Sequence, residues 1–303
     1  MKQKAFLDPE VLAGIKNLVV RARTVVEGAL VGEHVSPFRG GSIEFAQHRP
    51  YTPGDELRYI DWRLLARTDQ LHVKQFEVTT NLRAYLLVDA SGSMAYPESA
   101  SLSKYSYASL LASALAYVLI QQSDAVSLCT NEPDGVRYLP PRSQIAYLKQ
   151  ILSLLDQHAP QGEEGVMALV RHVQDRVSHR SLIILMSDFF VDLDQLNQRI
   201  KYLRGRGHDL MVFQVIHPDE VAFPFQRFYE FHCMETPETL TADGRSIRDH
   251  YLEAFQEHQD KLKDIMRQAG VDFTSVTTDQ PPDRVLARHL NQPHRAQKLR
   301  KMY

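Results

Sequence analysis

An α/β fold, a mostly parallel sheet with helices on both faces, is predicted by three features of the sequence. From residue 84 onward, short apolar runs alternate with longer segments of helical periodicity. The runs at 84–88 (AYLLV), 125–129 (AVSLC), 181–186 (SLIILM) and 209–216 (DLMVFQVI) are mostly apolar throughout, the pattern of strands covered on both faces. The segments between them, at 102–122, 143–156, 164–178 and 193–205, are long enough for the crossovers that parallel neighbours need.

Each element has local support. Asp8 and Pro9 suit the start of a helix over 8–30, and Val11, Leu12, Ile15, Leu18, Val19 and Ala22 give it one apolar face. Residues 31–80 change character: Gly40-Gly41, Pro53-Gly54 and Thr68-Asp69 punctuate short strands, with 72–78 (HVKQFEV) alternating most clearly. Residues 136–139 suit a short edge strand and 228–233 another. A polar helix at 246–269, a strand at 271–276 and a helix from 282 complete the pattern. The division expected is an attached helix and β segment over 1–79 and a main α/β domain over 80–303.

Composition narrows the function. Lysine and arginine total 35 against 37 acidic residues, a formal net charge of -2, which argues against general nucleic-acid binding. Two cysteines, Cys129 and Cys233, exclude a disulfide framework and a four-thiolate zinc site, and a reducing, cytoplasmic setting is expected. The first apolar stretch stops at Asp8-Pro9, too early for a signal peptide. The run 110–120 (LLASALAYVLI) is too short to cross a bilayer and reads as a buried helix.

Ligands of such sheets bind beyond the carboxyl ends of the strands, so the loops after 88, 129 and 186 are where function is sought. The first of these reads Asp89-Ala90-Ser91-Gly92-Ser93, one carboxylate and two hydroxyls at alternate positions. These are hard oxygen donors suited to Mg²⁺ or Mn²⁺. Gly92 allows a tight turn between them, and Asp188 places a second carboxylate after the 181–186 strand. Asp89 and Ser91 equally suit helix capping.

The Asp89-x-Ser91-x-Ser93 pattern, with Asp188 behind it, resembles the metal-ion-dependent adhesion site (MIDAS) of von Willebrand factor A domains. Ser36, Gly40, Phe45, Arg49-Pro50-Tyr51, Pro53-Gly54-Asp55, Arg58, Ile60-Asp61-Trp62 and Ala66-Arg67 resemble the signature of the bacterial domain of unknown function 58 family. That family joins the signature to a Rossmann-like von Willebrand A-type domain. The resemblance implies a cytoplasmic protein acting with a MoxR-type AAA+ ATPase. It also implies a metal held by Asp89, Ser91, Ser93 and Asp188. One departure concerns the threonine that adhesion sites take from the loop before a mid-domain helix. Here that loop reads 160–166 (PQGEEGV), with Glu163 and Glu164 in its place. A glutamate ligand would add negative charge and weaken attraction for a partner's carboxylate.

Within the signature, Trp62 is expected in the core, Gly54-Asp55 in a turn, and Arg58 with Asp61 in a fastening ion pair. Arg49, Arg58 and Arg67 have a second reading as a partner surface. Ser101-x-x-Lys104 has the spacing of serine acyl-transferases without their partner motifs, and a helix start accounts for both residues. No phosphate-binding glycine loop or nucleophile elbow is present in the sequence. His250 and His258 are expected on an exposed helix face, and the basic stretch Arg284 to Lys301 at a solvated end. The function expected is a non-enzymatic, chaperone-like adaptor that binds protein through the crevice. A metal-dependent hydrolase using the same crevice and a metal-free scaffold are the alternatives.

Overall fold

The structure, a computed structural model, describes residues 43–51, 60–68, 70–78, 82–97, 102–163 and 165–290. The helix expected over 8–30, the signature residues Ser36, Gly40, Asp55 and Arg58, Glu164 and most of the basic stretch lie outside the described residues.

In the signature segment, β1 (Ile43–Pro50) pairs antiparallel with β2 (His72–Val78), which coincides with the alternating run. Helix α1 (Trp62–Thr68) lies between them in the chain. Asp61 starts it, its Oδ1 accepting the Leu64 N–H at 3.1 Å, an N-cap role. Ile60 bridges Val73, and both are buried. Trp62 is 62% exposed, which corrects the expectation that it lies in the core. Ile60, two residues earlier, takes the buried role through its bridge to Val73.

The main sheet contains β3 (Arg83–Val88), β4 (Ala125–Glu132), β5 (Gly135–Arg142), β6 (Leu182–Ser187), β7 (Asp209–Ile216) and, later in the chain, a strand at Asp272–Thr277. The order across the sheet runs from that last strand through β7, β6, β3 and β4 to β5. All neighbours are parallel except β4 and β5, joined by a tight hairpin. Helices α2 (Lys104–Gln121), α3 (Ile145–Gln157), α4 (Val166–Arg176) and α5 (Leu193–Gly205) supply crossovers. After β7 come the one-turn α6 (Pro218–Ala222) and the antiparallel pair β8 (Phe228–His232) and β9 (Thr239–Asp243). Helix α7 (Gly244–Gln268), β10 (Asp272–Thr277) and α8 (Pro282–Leu290) follow.

The period-2 alternation of strand side chains divides the core into two layers. Ala84, Leu86 and Val88 of β3 face one side, with Leu111, Leu115 and Leu119 of α2, Ile151 of α3 and Leu286 of α8. Tyr85 and Leu87 face the other, with Leu169 of α4, Leu196 and Ile200 of α5 and Leu262 and Met266 of α7. Burying each such leucine contributes about 1.5–3 kcal/mol, and β3, at the centre, is covered on both faces. Helix α2 is apolar around nearly its whole circumference, so it is enclosed by protein, as the 110–120 run predicts. Among the described residues, no helix is long and apolar enough to cross a membrane.

The candidate crevice at the carboxyl ends of the strands

Parallel register brings the strand ends together. Val88 pairs with Thr130 on one side and Met186 on the other, so the chain leaves β3 between Asn131 and Ser187. The Asp89 N–H donates to the Met186 carbonyl at 2.9 Å, and a single 3-10 turn (Gly92–Ala95) follows.

Asp89 is buried, and both its oxygens accept hydrogen bonds. Oδ1 accepts the Ser91 N–H at 2.9 Å. Oδ2 accepts the Ser187 hydroxyl at 2.6 Å and the Val166 N–H, the first residue of α4, at 3.1 Å. Burial pushes the Asp89 carboxyl up to about 6, with the nearby Asp188 carboxylate adding to the rise and the Ser187 and Ser91 bonds opposing it. Ser91 is buried, and its Oγ lies 3.3 Å from that of Ser93. The structure therefore brings Asp89, Ser91 and Ser93 together in one turn, with Asp188 in the same crevice.

Asp188 meets a partner that sequence reasoning assigned elsewhere. Its Oδ2 accepts from the Lys104 Nζ at 2.7 Å, and the same ammonium lies 2.5 Å from Glu220 Oε1. Lys104 is the first residue of α2 and only 1% exposed. Its helix start is correct, since Ser103 caps α2 by accepting the Ser106 N–H at 3.1 Å, but its side chain turns inward. Burial alone would lower the Lys104 ammonium; Asp188 and Glu220 outweigh it and hold its pKa above the usual lysine range. Glu220 is fixed in turn by the His217 N–H, donated to its Oε2 at 2.7 Å in a capping box at α6. The Phe190 N–H donates to Asp188 Oδ1 at 3.3 Å, and the Lys104 ammonium lies 5.5 Å from the centre of the Phe190 ring.

Other residues of the crevice had no signal in the sequence. Asn131 is buried; its Oδ1 accepts the Ala90 N–H at 3.1 Å and its Nδ2 donates to the Gly165 carbonyl at 3.0 Å. It ties the β3 loop to the start of α4. The 160–166 loop joins by backbone: Gln161 N–H donates to Ala90 O and Gly92 N–H to Gly162 O. Glu163 is exposed. Gly165 occupies the position from which a side chain would reach the site, since a Cβ there would lie 3.4 Å from Asp89 Oδ2. Gly92 owes its identity to close packing, because a Cβ on it would collide with the Met234 carbonyl in the turn between β8 and β9.

Elsewhere the histidines separate: His250 is exposed, whereas His258 is half-buried with Nε2 3.0 Å from the Phe189 carbonyl, correcting its expected exposure. The described signature residues Arg49, Asp61, Trp62 and Arg67 belong to β1, α1 and the residue before α1.

The geometry bears on a divalent ion. Asp89 oxygens serve three protein donors, and Asp188 oxygens serve Lys104 and Phe190. Among the described residues, no group of three or more His, Cys, Asp and Glu side chains is placed to hold a metal. As arranged, these carboxylates fit an ammonium and backbone donors better than an octahedral Mg²⁺ or Mn²⁺.

A mostly parallel sheet with one antiparallel edge strand, helices on both faces and a D-x-S-x-S turn after a central strand defines an α/β domain with its crevice at the carboxyl ends of the strands. The chain belongs to the family described as "Protein of unknown function DUF58", whose model matches residues 47–261. Uncharacterized proteins of Mycobacterium tuberculosis and Mycobacterium bovis are 23% identical over 288 residues, covering 90% of this chain and 86% of theirs. Among solved structures, the conserved hypothetical protein BatB of Bacteroides thetaiotaomicron is 13% identical, with a TM-score of 0.47 over 73% of this chain and 99% of that one. An aerotolerance-related membrane protein of Bacteroides fragilis is 14% identical, with a TM-score of 0.48 over 72% and 99% of the two chains.

Proposed function

We propose that the chain is a non-catalytic, cytoplasmic adaptor that docks a MoxR-type AAA+ ATPase at the carboxyl-end face of its sheet, leaving ATP-driven work to that partner. A continuous run of aromatic rings leading out of the crevice carries this reading. Phe190 neighbours Phe255 at 6.2 Å, Phe255 stacks on Tyr251 at 5.9 Å, and Tyr251 meets Phe223 at 4.5 Å. Phe223 then meets Phe225 at 5.1 Å, and Phe225 meets Tyr229 at 5.3 Å. Phe223 in the middle of the run is buried and Phe255, Tyr251 and Phe225 are half-buried, whereas Phe190 is 41% exposed and Tyr229 opens to solvent on β8. Phe228 on the same strand is 76% exposed, and Leu240 and Val221 nearby are also exposed. Exposed aromatics at the ends of a run with a buried ring at its middle suit a protein interface.

The crevice supports the non-catalytic half of the reading. Each carboxylate accepts bonds from protein donors, which supports binding over water activation. Docking through a divalent ion held by Asp89, Ser91, Ser93 and Asp188 would require Asp188 to exchange Lys104 for metal; docking through the aromatic face requires no such exchange. The test is capture of the cognate MoxR-type ATPase by the native chain and by a Phe228→Asp, Tyr229→Asp double variant with the native unfolding midpoint. Capture by the native chain and its loss in the variant are expected. Equal recovery from both, or none from either, would overturn the proposal.

A further inference from the structure

The D-x-S-x-S turn leads one to look for a metal, yet a cation already sits in the crevice. We propose that the Lys104 ammonium is the resident cation of this site, holding Asp188 and Glu220 in place of a divalent ion, so that the native crevice takes neither Mg²⁺ nor Mn²⁺. The inference stands apart from the docking proposal, since it concerns only what neutralises the carboxylates.

Four observations converge on it. The Lys104 Nζ lies within hydrogen-bond distance of two carboxylates contributed by different elements, Asp188 after β6 and Glu220 in α6. Its side chain is enclosed, so the ammonium has exchanged water for those carboxylates and the Phe190 ring. The backbone secures its position, because the Lys104 N–H donates to the Tyr96 carbonyl at 3.0 Å and Tyr96 Oη donates to Asp219 Oδ2 at 2.7 Å. Finally, Gly165 stands where a side chain would approach Asp89, and it brings no oxygen donor beyond its backbone. A divalent ion gains most from carboxylate oxygens free of other donors. Here Asp89 and Asp188 are both engaged by protein donors, and the neutral Ser91 and Ser93 hydroxyls do not offset the dehydration of Mg²⁺.

Manganese titration followed by calorimetry and by Mn²⁺ electron paramagnetic resonance tests this on the whole chain. The native protein is expected to show no saturable Mn²⁺ binding up to millimolar concentration. Lys104→Met, which frees Asp188 and Glu220, is expected to gain a site at least about tenfold tighter, lost again when Asp89→Ala is added. Lys104→Arg keeps the charge and is expected to behave as native. Saturable binding by the native chain that Asp89→Ala abolishes would overturn the proposal, as would a folded Lys104→Met that gains no site. If Lys104→Met does not fold, the side-chain ¹⁵N resonance of Lys104 in the native protein decides. A signal unmoved by millimolar Mg²⁺ supports the resident ammonium, and a signal displaced by it overturns the proposal.

Discussion

The Met234 carbonyl oxygen fills the space that a side chain on Gly92 would need, so the turn between β8 and β9 rests directly on the D-x-S-x-S loop. The two residues belong to different parts of the chain, one after the central strand and one in the insertion that follows β7. Their contact makes the insertion a wall of the crevice. Tyr96 and Asp219 strengthen it from the other end of the same loop.

Gly92→Ala is accordingly expected to push the hairpin turn away. Overpacking at such a contact costs about 1–3 kcal/mol, read as a lower midpoint in urea unfolding. Amide exchange around Cys233 to Glu238 is expected to quicken more than exchange in β3. An unaltered midpoint with unaltered exchange would show that the turn does not rest on the loop.

Asn131→Ala removes the two bonds by which this side chain ties the β3 loop to the start of α4. It leaves the Ala90 N–H and the Gly165 carbonyl without these partners in a buried site, a loss of about 1–3 kcal/mol. Asn131→Asp keeps an acceptor for Ala90 but loses the donor to Gly165, and is expected to fall between native and alanine at low pH. Chemical denaturation of the three proteins checks the order.

Breaking the buried ion pair from one side is predicted to be worse than removing it from both. Lys104→Met leaves Asp188 and Glu220 facing each other without their cation, and a loss of about 3–5 kcal/mol is expected. Lys104→Met combined with Asp188→Asn and Glu220→Gln is expected to recover much of that loss. A mutant cycle with simply additive effects would show that the three groups are not coupled.

Asp124 sets a separate pH dependence at the opposite end of β4. Its Oδ1 accepts the Leu82 N–H at 3.1 Å, its Oδ2 is buried without a partner, and burial pushes its carboxyl up to about 7. An acid raised on folding holds its proton more tightly in the folded chain. Its contribution is therefore most favourable below about pH 4 and is lost as pH rises through about 7. Asp124→Asn keeps an acceptor for Leu82 and removes the charge. It is expected to raise the thermal midpoint above pH 7 and to leave it nearly unchanged at pH 4, with thermal unfolding across that range as the measurement.

The strands and helices of the main domain were legible because their signals are local. The run at 84–88 lies within β3, the run at 181–186 overlaps β6 to within one residue at each end, and 193–205 and 209–216 coincide with α5 and β7. Three elements escaped, the one-turn α6 among them. Residues 62–68 form a helix too short for periodicity to register, and β9 is a strand of mixed polarity that exists through its pairing with β8. The apolar character of Trp62 suggested a core residue, but it is exposed, and Ile60 instead meets Val73.

The sequence by itself determined the α/β class and the positions of Asp89, Ser91, Ser93 and Asp188 at strand ends. Periodicity and motif spacing act over a few residues, and the strand itself sets which way they point. Only the tertiary structure decided what those groups meet. Lys104 is 84 positions from Asp188 and 116 from Glu220, and no local rule distinguishes an inward lysine at a helix start from an outward one. Packing decides it, because the buried Asp188 carboxylate requires a cation and α2 brings one within reach. The same long-range geometry gives Asn131 its two bonds and Gly92 its neighbour, turning a motif that reads as a metal loop into a crevice already furnished with its own charge.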